Sequence, residues 1–212
     1  YIVDNANIDS ADFDFKLDNV SKTITNVATT DGRVVVSLSA GGTTWTEDTS
    51  VGAAKNWIDI ASSTDGTKLV TGAYGGNIWT STDSGANWTE RTVGDGSNDW
   101  EVFASSDDGV KLVAGTWSGN LWTSTDSGAN WTSRASTQNW YGLASSDNGV
   151  KLVAAVYGGN IWTSTDSGAT WTENTSSPGS TKNWQKIASS ADGTKLVAVV
   201  EGGNIYTSTN SG

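Results

Sequence analysis

The sequence has no cysteine, no histidine and no methionine, and Pro178 is its one proline. Without His or Cys it cannot form a Ser-His-Asp triad, a thiol nucleophile or the usual zinc or haem site. The missing cysteine also excludes a disulfide framework, though it leaves the redox compartment open. Basic residues are scarce: 12 Lys and Arg stand against 23 Asp and Glu, a net charge of −11 over 212 residues. Such a chain repels phosphate backbones, so nucleic acid is not an expected partner. No apolar run reaches the roughly 18 residues of a membrane span. No signal peptide is recognisable, and a chain opening on Tyr1 reads as a processed product or a piece of something longer.

What is abundant is 12 Trp and 25 Gly among many Ser, Thr, Asn and Asp. Trp, Val, Ile and Thr suit pleated strands, and Gly, Asn and Asp suit tight turns. The chain repeats itself. Asn56-Trp57-Ile58-Asp59-Ile60-Ala61-Ser62-Ser63 is matched by Asp99 to Ser106, Asn139 to Ser146 and Asn183 to Ser190, so that Trp57, Trp100, Trp140 and Trp184 recur every 40 to 44 residues. That period, with four short strands per repeat, is the pattern of a propeller blade. In one repeat strand A runs from Trp57 to Ser63, B from Lys68 to Tyr74, C from Asn77 to Thr82 and D from Asn87 to Thr92. Asp-Gly, Asn-Gly and Gly-Gly pairs supply the positive φ that hairpin turns demand. The expected class is all-β, a propeller of four-stranded antiparallel blades with about five repeats visible.

The ends are irregular. Residues 1–23 read as an N-terminal strand or linker and 24–212 as repeats. Trp45 precedes Trp57 by the same 12 residues as Trp88 precedes Trp100, so Thr43 to Thr49 is expected to be strand D of an earlier, short blade. The fifth repeat stops at Asn210-Ser211-Gly212, inside its C–D turn. Either Phe13 to Leu17 crosses over to close the ring, or the chain continues in a longer parent.

Ser81-Thr82-Asp83-Ser84-Gly85-Ala86-Asn87-Trp88 recurs as Ser124 to Trp131 and as Ser164 to Trp171, with an altered copy at Ser208 to Gly212. These residues resemble the BNR or Asp-box motif, Ser-x-Asp-x-Gly-x-Thr-Trp, and the resemblance covers roughly residues 24–212. It implies a β-propeller. Sialidases, xyloglucan-degrading hydrolases and sortilin-type proteins share the box but not their activities, so it does not imply a reaction. On physical grounds Asp83, Asp126 and Asp166 are turn staples that accept backbone N–H bonds, with Trp88, Trp131 and Trp171 tucked beside the turns. One carboxylate per turn is too few for calcium, and no metal or cofactor is expected. Arg33, Lys68, Lys111, Lys151 and Lys195, one beside each A–B turn, read as a solvated rim.

The A–B and C–D turns emerge on one face and the B–C and D–A loops on the other. The second face is the variable one, and it carries Tyr74, Trp117, Tyr157 and Glu201 at the B–C corners. These are the candidate ligand residues, since aromatic rings among Asn, Ser and Gly suit a glycan or protein ligand. No catalytic set is marked out. Arg91 and Arg134 sit on outer strands, and Glu47, Glu90 and Glu173 follow Trp-Thr on strand D, leaving Glu101, Glu201 and Asp59 near the inner strands without an evident pair. The expectation is a non-catalytic, secreted or surface-associated binding or structural module, in a longer chain or an assembly; a glycoside hydrolase fragment is the alternative. Asn19, Asn87, Asn130 and Asn174 open N-glycosylation sequons.

Overall fold

The computed structural model describes residues 45–212, apart from 97 and 176–180, and the backbone of strands at 16–17, 20–21, 23–30 and 33–39. The chain forms two compact units, Tyr1–Glu47 and Asp48–Gly212. The first contains two hairpins. β1 (Lys16–Leu17) pairs with β2 (Val20–Ser21), and β3 (Thr23–Thr30) pairs with β4 (Arg33–Ser39), all antiparallel. Phe13 to Phe15, the first three residues of the expected closing strand, lie outside the described residues.

The second unit is a run of antiparallel blades. Blade 1 is β5 (Trp57–Ser62), β6 (Leu69–Gly76), β7 (Ile78–Ser81) and β8 (Thr89–Arg91). Blade 2 is β9 (Asn98–Ser105), β10 (Leu112–Thr116), β11 (Gly119–Ser124) and β12 (Thr132–Gln138). Blade 3 is β13 (Trp140–Ser145), β14 (Leu152–Gly159), β15 (Ile161–Ser164) and β16 (Thr172–Asn174). Blade 4 has three strands: β17 (Lys182–Ser189), β18 (Leu196–Val200) and β19 (Ile205–Ser208). The fold is all-β; among the described residues there is no helix, and none long and apolar enough to cross a membrane. One expectation fails where it can be followed: Trp45–Thr49 forms no strand, since no strand among the described residues pairs with it, while Thr43 and Thr44 lie outside the described residues.

The core lies between blades rather than in one centre. Val70 and Ile78 of blade 1 pack with Trp100, Phe103 and Leu112 of blade 2. Val102, Val113 and Leu121 pack with Trp140, Leu143 and Leu152, and Val153 and Ala155 pack with Trp184, Ile187 and Leu196. Burying each such side chain contributes about 1.5–3 kcal/mol. Trp100, Trp140 and Trp184 are fully buried, which makes them core residues. Trp57 has no such cover and remains 38% exposed.

Polar bonds repeat at every joint. Thr64 N–H donates to Asp107 O, Asp107 N–H to Asp147 O and Asp147 N–H to Ala191 O, each at 2.8 Å. The Trp100 and Trp140 indoles donate to Gly76 O and Gly119 O of the preceding blade at 2.9 and 3.0 Å. Two of the lysines bridge blades in place of lining a solvated rim, whereas Lys195 is exposed and the Arg33 side chain lies outside the described residues. Lys68 Nζ reaches Asp108 O at 2.9 Å and Lys111 Nζ reaches Asn148 O at 3.0 Å, each in the next blade, and the lysine stems press on Gly109 and Gly149.

The Ser-Thr-Asp-Ser-Gly turns are closed polar rings. Asp126 Oδ1 accepts from Asn130 N–H at 2.8 Å and from Ser124 Oγ at 2.8 Å, while Ser124 Oγ accepts from Gly128 N–H at 2.9 Å. Asp83 and Asp166 do the same, so the accepted N–H lies four residues on, beyond the reach of a simple Asx turn. Ser127 and Gly128 both take positive φ. The carboxyls are held low by these bonds, Asp166 at about 2. Trp88, Trp131 and Trp171 are half-buried rather than engulfed.

Candidate functional site

In every A strand the ladder slips by one residue immediately after the opening Trp. Trp57 faces Ala73 but Asp59 faces Gly72, which leaves Ile58 as an extra residue. Glu101, Tyr141 and Gln185 are extra in the same way. A bulge of this kind kinks the strand and re-aims a side chain. Here it brings that side chain to the B–C corners, which are tied to the strand's entry by Tyr74 N–H to Asn56 O, Trp117 N–H to Asp99 O, Tyr157 N–H to Asn139 O and Glu201 N–H to Asn183 O.

Bulge and corner residues build one cluster across blades 2 to 4. The Trp117, Tyr141 and Tyr157 rings touch pairwise, with centroids 6.0 Å (Trp117–Tyr141), 5.7 Å (Trp117–Tyr157) and 5.7 Å (Tyr141–Tyr157) apart. Tyr157 Oη donates to Glu201 Oε2 at 3.0 Å, and Gln185 Nε2 donates to the same oxygen at 3.2 Å. Lys186 Nζ lies 5.5 Å from the Tyr141 ring centroid, a cation over an aromatic face. The Trp117 corner is secured by Asn139, whose Oδ1 accepts from Ser118 N–H at 3.2 Å and Ser118 Oγ at 3.1 Å.

Electrostatics sort these groups. The bond to Glu201, and then the charge of Glu201, raise the Tyr157 phenol above its usual value, so it stays a protonated donor. Burial pushes the Glu101 carboxyl up; Lys186 opposes the shift and Asp59 adds to it. Asp59 itself has a structural partner, accepting from Phe103 N–H in blade 2 at 2.8 Å.

Of the residues singled out from sequence, Trp117, Tyr157 and Glu201 come together. Tyr74 stands exposed on blade 1, outside the cluster. Tyr141, Gln185 and Lys186 were missed. The signal for Tyr141 and Gln185 was the position after each opening Trp, which reads Ile, Glu, Tyr and Gln in repeats otherwise nearly alike, and Lys186 follows one residue later. Arg91 and Arg134 are bound on their own blades to Thr80 and Thr123, both at 3.1 Å. Glu90 and Glu173 accept from Asn77 and Asn160, at 3.0 and 2.9 Å.

No family model matches the sequence, and no curated protein matches it. Solved structures do. A GH74 enzyme of Niastella koreensis aligns with a TM-score of 0.64 at 20% identity, over 90% of this chain and 29% of that one. YCF48 bound to D1 peptide aligns at 0.52 and 17% identity, over 72% of this chain and 55% of that one. The computationally designed Ika4 protein aligns at 0.60 and 14% identity, over 75% of this chain and 94% of its own. The chain thus spans under a third of the GH74 enzyme. At these identities the likeness establishes the β-propeller fold and nothing finer.

Proposed function

We propose that this chain is a non-catalytic, extracellular or surface-associated module of Asp-box blades, the repeats spanning residues 24–212, that binds a neutral glycan on the Trp117–Tyr141–Tyr157 cluster. The observation that carries the reading is the cluster itself: three half-buried rings with Glu201, Gln185 and Lys186 at their edge. Sugars present apolar C–H faces and rings of hydroxyls, and flat rings beside fixed donors and acceptors match both. Acidic polymers fit badly with the −11 charge. The rings form one continuous platform, in place of the separate, equivalent corners that the repeats suggest. Tyr141→Ala should abolish binding on an array of neutral oligosaccharides while leaving the melting curve close to that of the parent chain. A peptide ligand, as held by YCF48, would appear as binding to peptides but to no sugar.

A second reading, a fragment of a glycoside hydrolase, is favoured by the raised Glu101 carboxyl beside Asp59 and by the GH74 likeness. Against it, Asp59 is occupied by Phe103 N–H. Hydrolysis of xyloglucan or sialosides that disappears with Glu101→Gln would establish this reading in place of the first.

A further inference from the structure

Blade 4 repeats the surface that blades 1 to 3 bury. On strand B, Val70, Val113 and Val153 are buried in joints, whereas the equivalent Val197 is 39% exposed. On strand C, Ile78 and Leu121 are fully buried, whereas Ile205 is 70% exposed. Lys68, Lys111 and Lys151 are half-buried, and Lys195 is exposed. The opposite end of the unit shows the complementary surface. Phe103, Leu143 and Ile187 are buried where they receive the preceding blade, while Ile60 is 59% exposed beside Trp57. A groove of about 320 Å³ runs there, lined by Val51, Trp57, Ile58 and Ile60.

Blade 4 is also short of a strand and a ring. Among the described residues β19 pairs only with β18. Trp131 packs into the joint of blades 1 and 2, and Trp171 into that of blades 2 and 3. At the joint of blades 3 and 4 the corresponding space is a cavity of about 200 Å³, lined by Ile161, Trp184, Ile187, Leu196 and Tyr206. Among the described residues one such Trp lies outside the four blades. Trp45 is 99% exposed, and Trp45-Thr46-Glu47 matches the Trp88-Thr89-Glu90 of strand D. In a propeller, strand D of one blade leads directly into strand A of the next. Trp45 lies 12 residues before Trp57, the same separation that links Trp88 to Trp100 across a formed joint.

We propose that blade 4 is covered by the first-blade edge of a second copy of this chain, whose Trp45–Thr49 segment becomes its fourth strand. The interface continues the three joints already in the molecule. Trp57 of the second copy would donate to Gly203 O, as Trp100 does to Gly76 O, and Lys195 would reach the carbonyl of Asp65. Val199 replaces the Gly72 that faces Phe103, and the facing residue becomes the smaller Ile60, so the pair keeps the same number of side-chain carbons. The contact joins different surfaces on the two copies, so it gives a closed ring or a growing chain.

The test is light scattering of the full chain over a concentration series. The expected mass is twice 22.1 kDa or a higher multiple of it. Ile205→Asp and Ile60→Asp should each weaken association by about tenfold or more, and Trp45→Ala likewise, with circular dichroism showing each variant folded. Mixing Ile205→Asp with Ile60→Asp should restore a complex of two chains, because each variant keeps one intact edge. A monomer at every concentration overturns the proposal, as does association that ignores Ile60→Asp. Either result would leave another occupant for this face, such as the chain's own N-terminal residues or a continuation of the polypeptide.

Discussion

The indole N–H of Trp140 ends on the carbonyl oxygen of Gly119, 3.0 Å away in the preceding blade. One side chain thereby fills the joint and satisfies a backbone acceptor at its rim. Replacing Trp140 by Ala should cost about 3–5 kcal/mol, as for other large buried aromatics. Trp140→Phe keeps a ring but strands the Gly119 oxygen, and should still cost about 1–3 kcal/mol. Urea melts of both variants check the order.

Half-burial sets a smaller figure for the Trp beside each Asp turn. Trp131 keeps one face in solvent, and its indole bond goes to Gly128 within its own turn at 3.0 Å. Trp131→Ala should cost about 2 kcal/mol, clearly less than Trp140→Ala. Equal losses in the same melts would contradict the packing described above.

Acid should loosen the turns in a defined window. Asp166 is lowered from 3.8 to about 2, chiefly by the bond from Thr170 and by Thr170 N–H. A carboxyl with a depressed folded value gives stability that is complete above its unfolded value and lost as pH falls through the folded one. The contribution should therefore fade between about pH 4 and pH 2. Asp166→Asn removes the titration while preserving the acceptor, as Asn210 shows by accepting from Ser208 Oγ at 2.8 Å. Melts at pH 4, 3 and 2 should give a shallower slope for that variant.

Glycine at the A–B turn serves two needs that can be separated. Gly66 has φ +70° and open space around it, whereas Gly109 has φ +63° and lies against the Lys68 stem, where an added Cβ would come within 2.7 Å. Gly66→Ala should cost about 1–2 kcal/mol for its left-handed backbone alone. Gly109→Ala should cost more, and removing the lysine side chain, Cβ included, in Lys68→Gly/Gly109→Ala should recover part of the difference. Additive losses in that cycle would show that the blades do not press on each other there.

Two sequons should stay bare. The side-chain amides of Asn87 and Asn130 donate to Asp83 and Asp126 at 2.7 and 2.6 Å, so a glycan on either amide would crowd the carboxylate that closes each turn. Mass spectrometry of peptides from a glycosylating host should find both positions unmodified.

The blades were legible because their determinants are local. Asp-Gly and Ser-Thr-Asp-Ser-Gly mark the turns within a few residues, and the Trp spacing marks the period. The joints were not legible. Lys68 meets Asp108 forty residues away, and its contact depends on how one blade sits on the next. The site was half legible for the same reason. Trp117 and Tyr157 stand out beside their corners, whereas Tyr141 reaches them only through a slip in register, and register belongs to a pair of strands rather than to either one. Trp45 to Thr49 misled because its pattern is that of strand D, yet a pattern alone cannot provide the edge on which a strand forms.

The slip after each opening Trp also separates two kinds of selection. A residue left out of the ladder can be exchanged without moving any hydrogen bond of the sheet. Ile58, Glu101, Tyr141 and Gln185 already place an apolar, an acidic, an aromatic and an amide side chain on one unchanged frame. Single replacements at these four positions can therefore change the surface at the corners while every ladder hydrogen bond of the sheet stays in place.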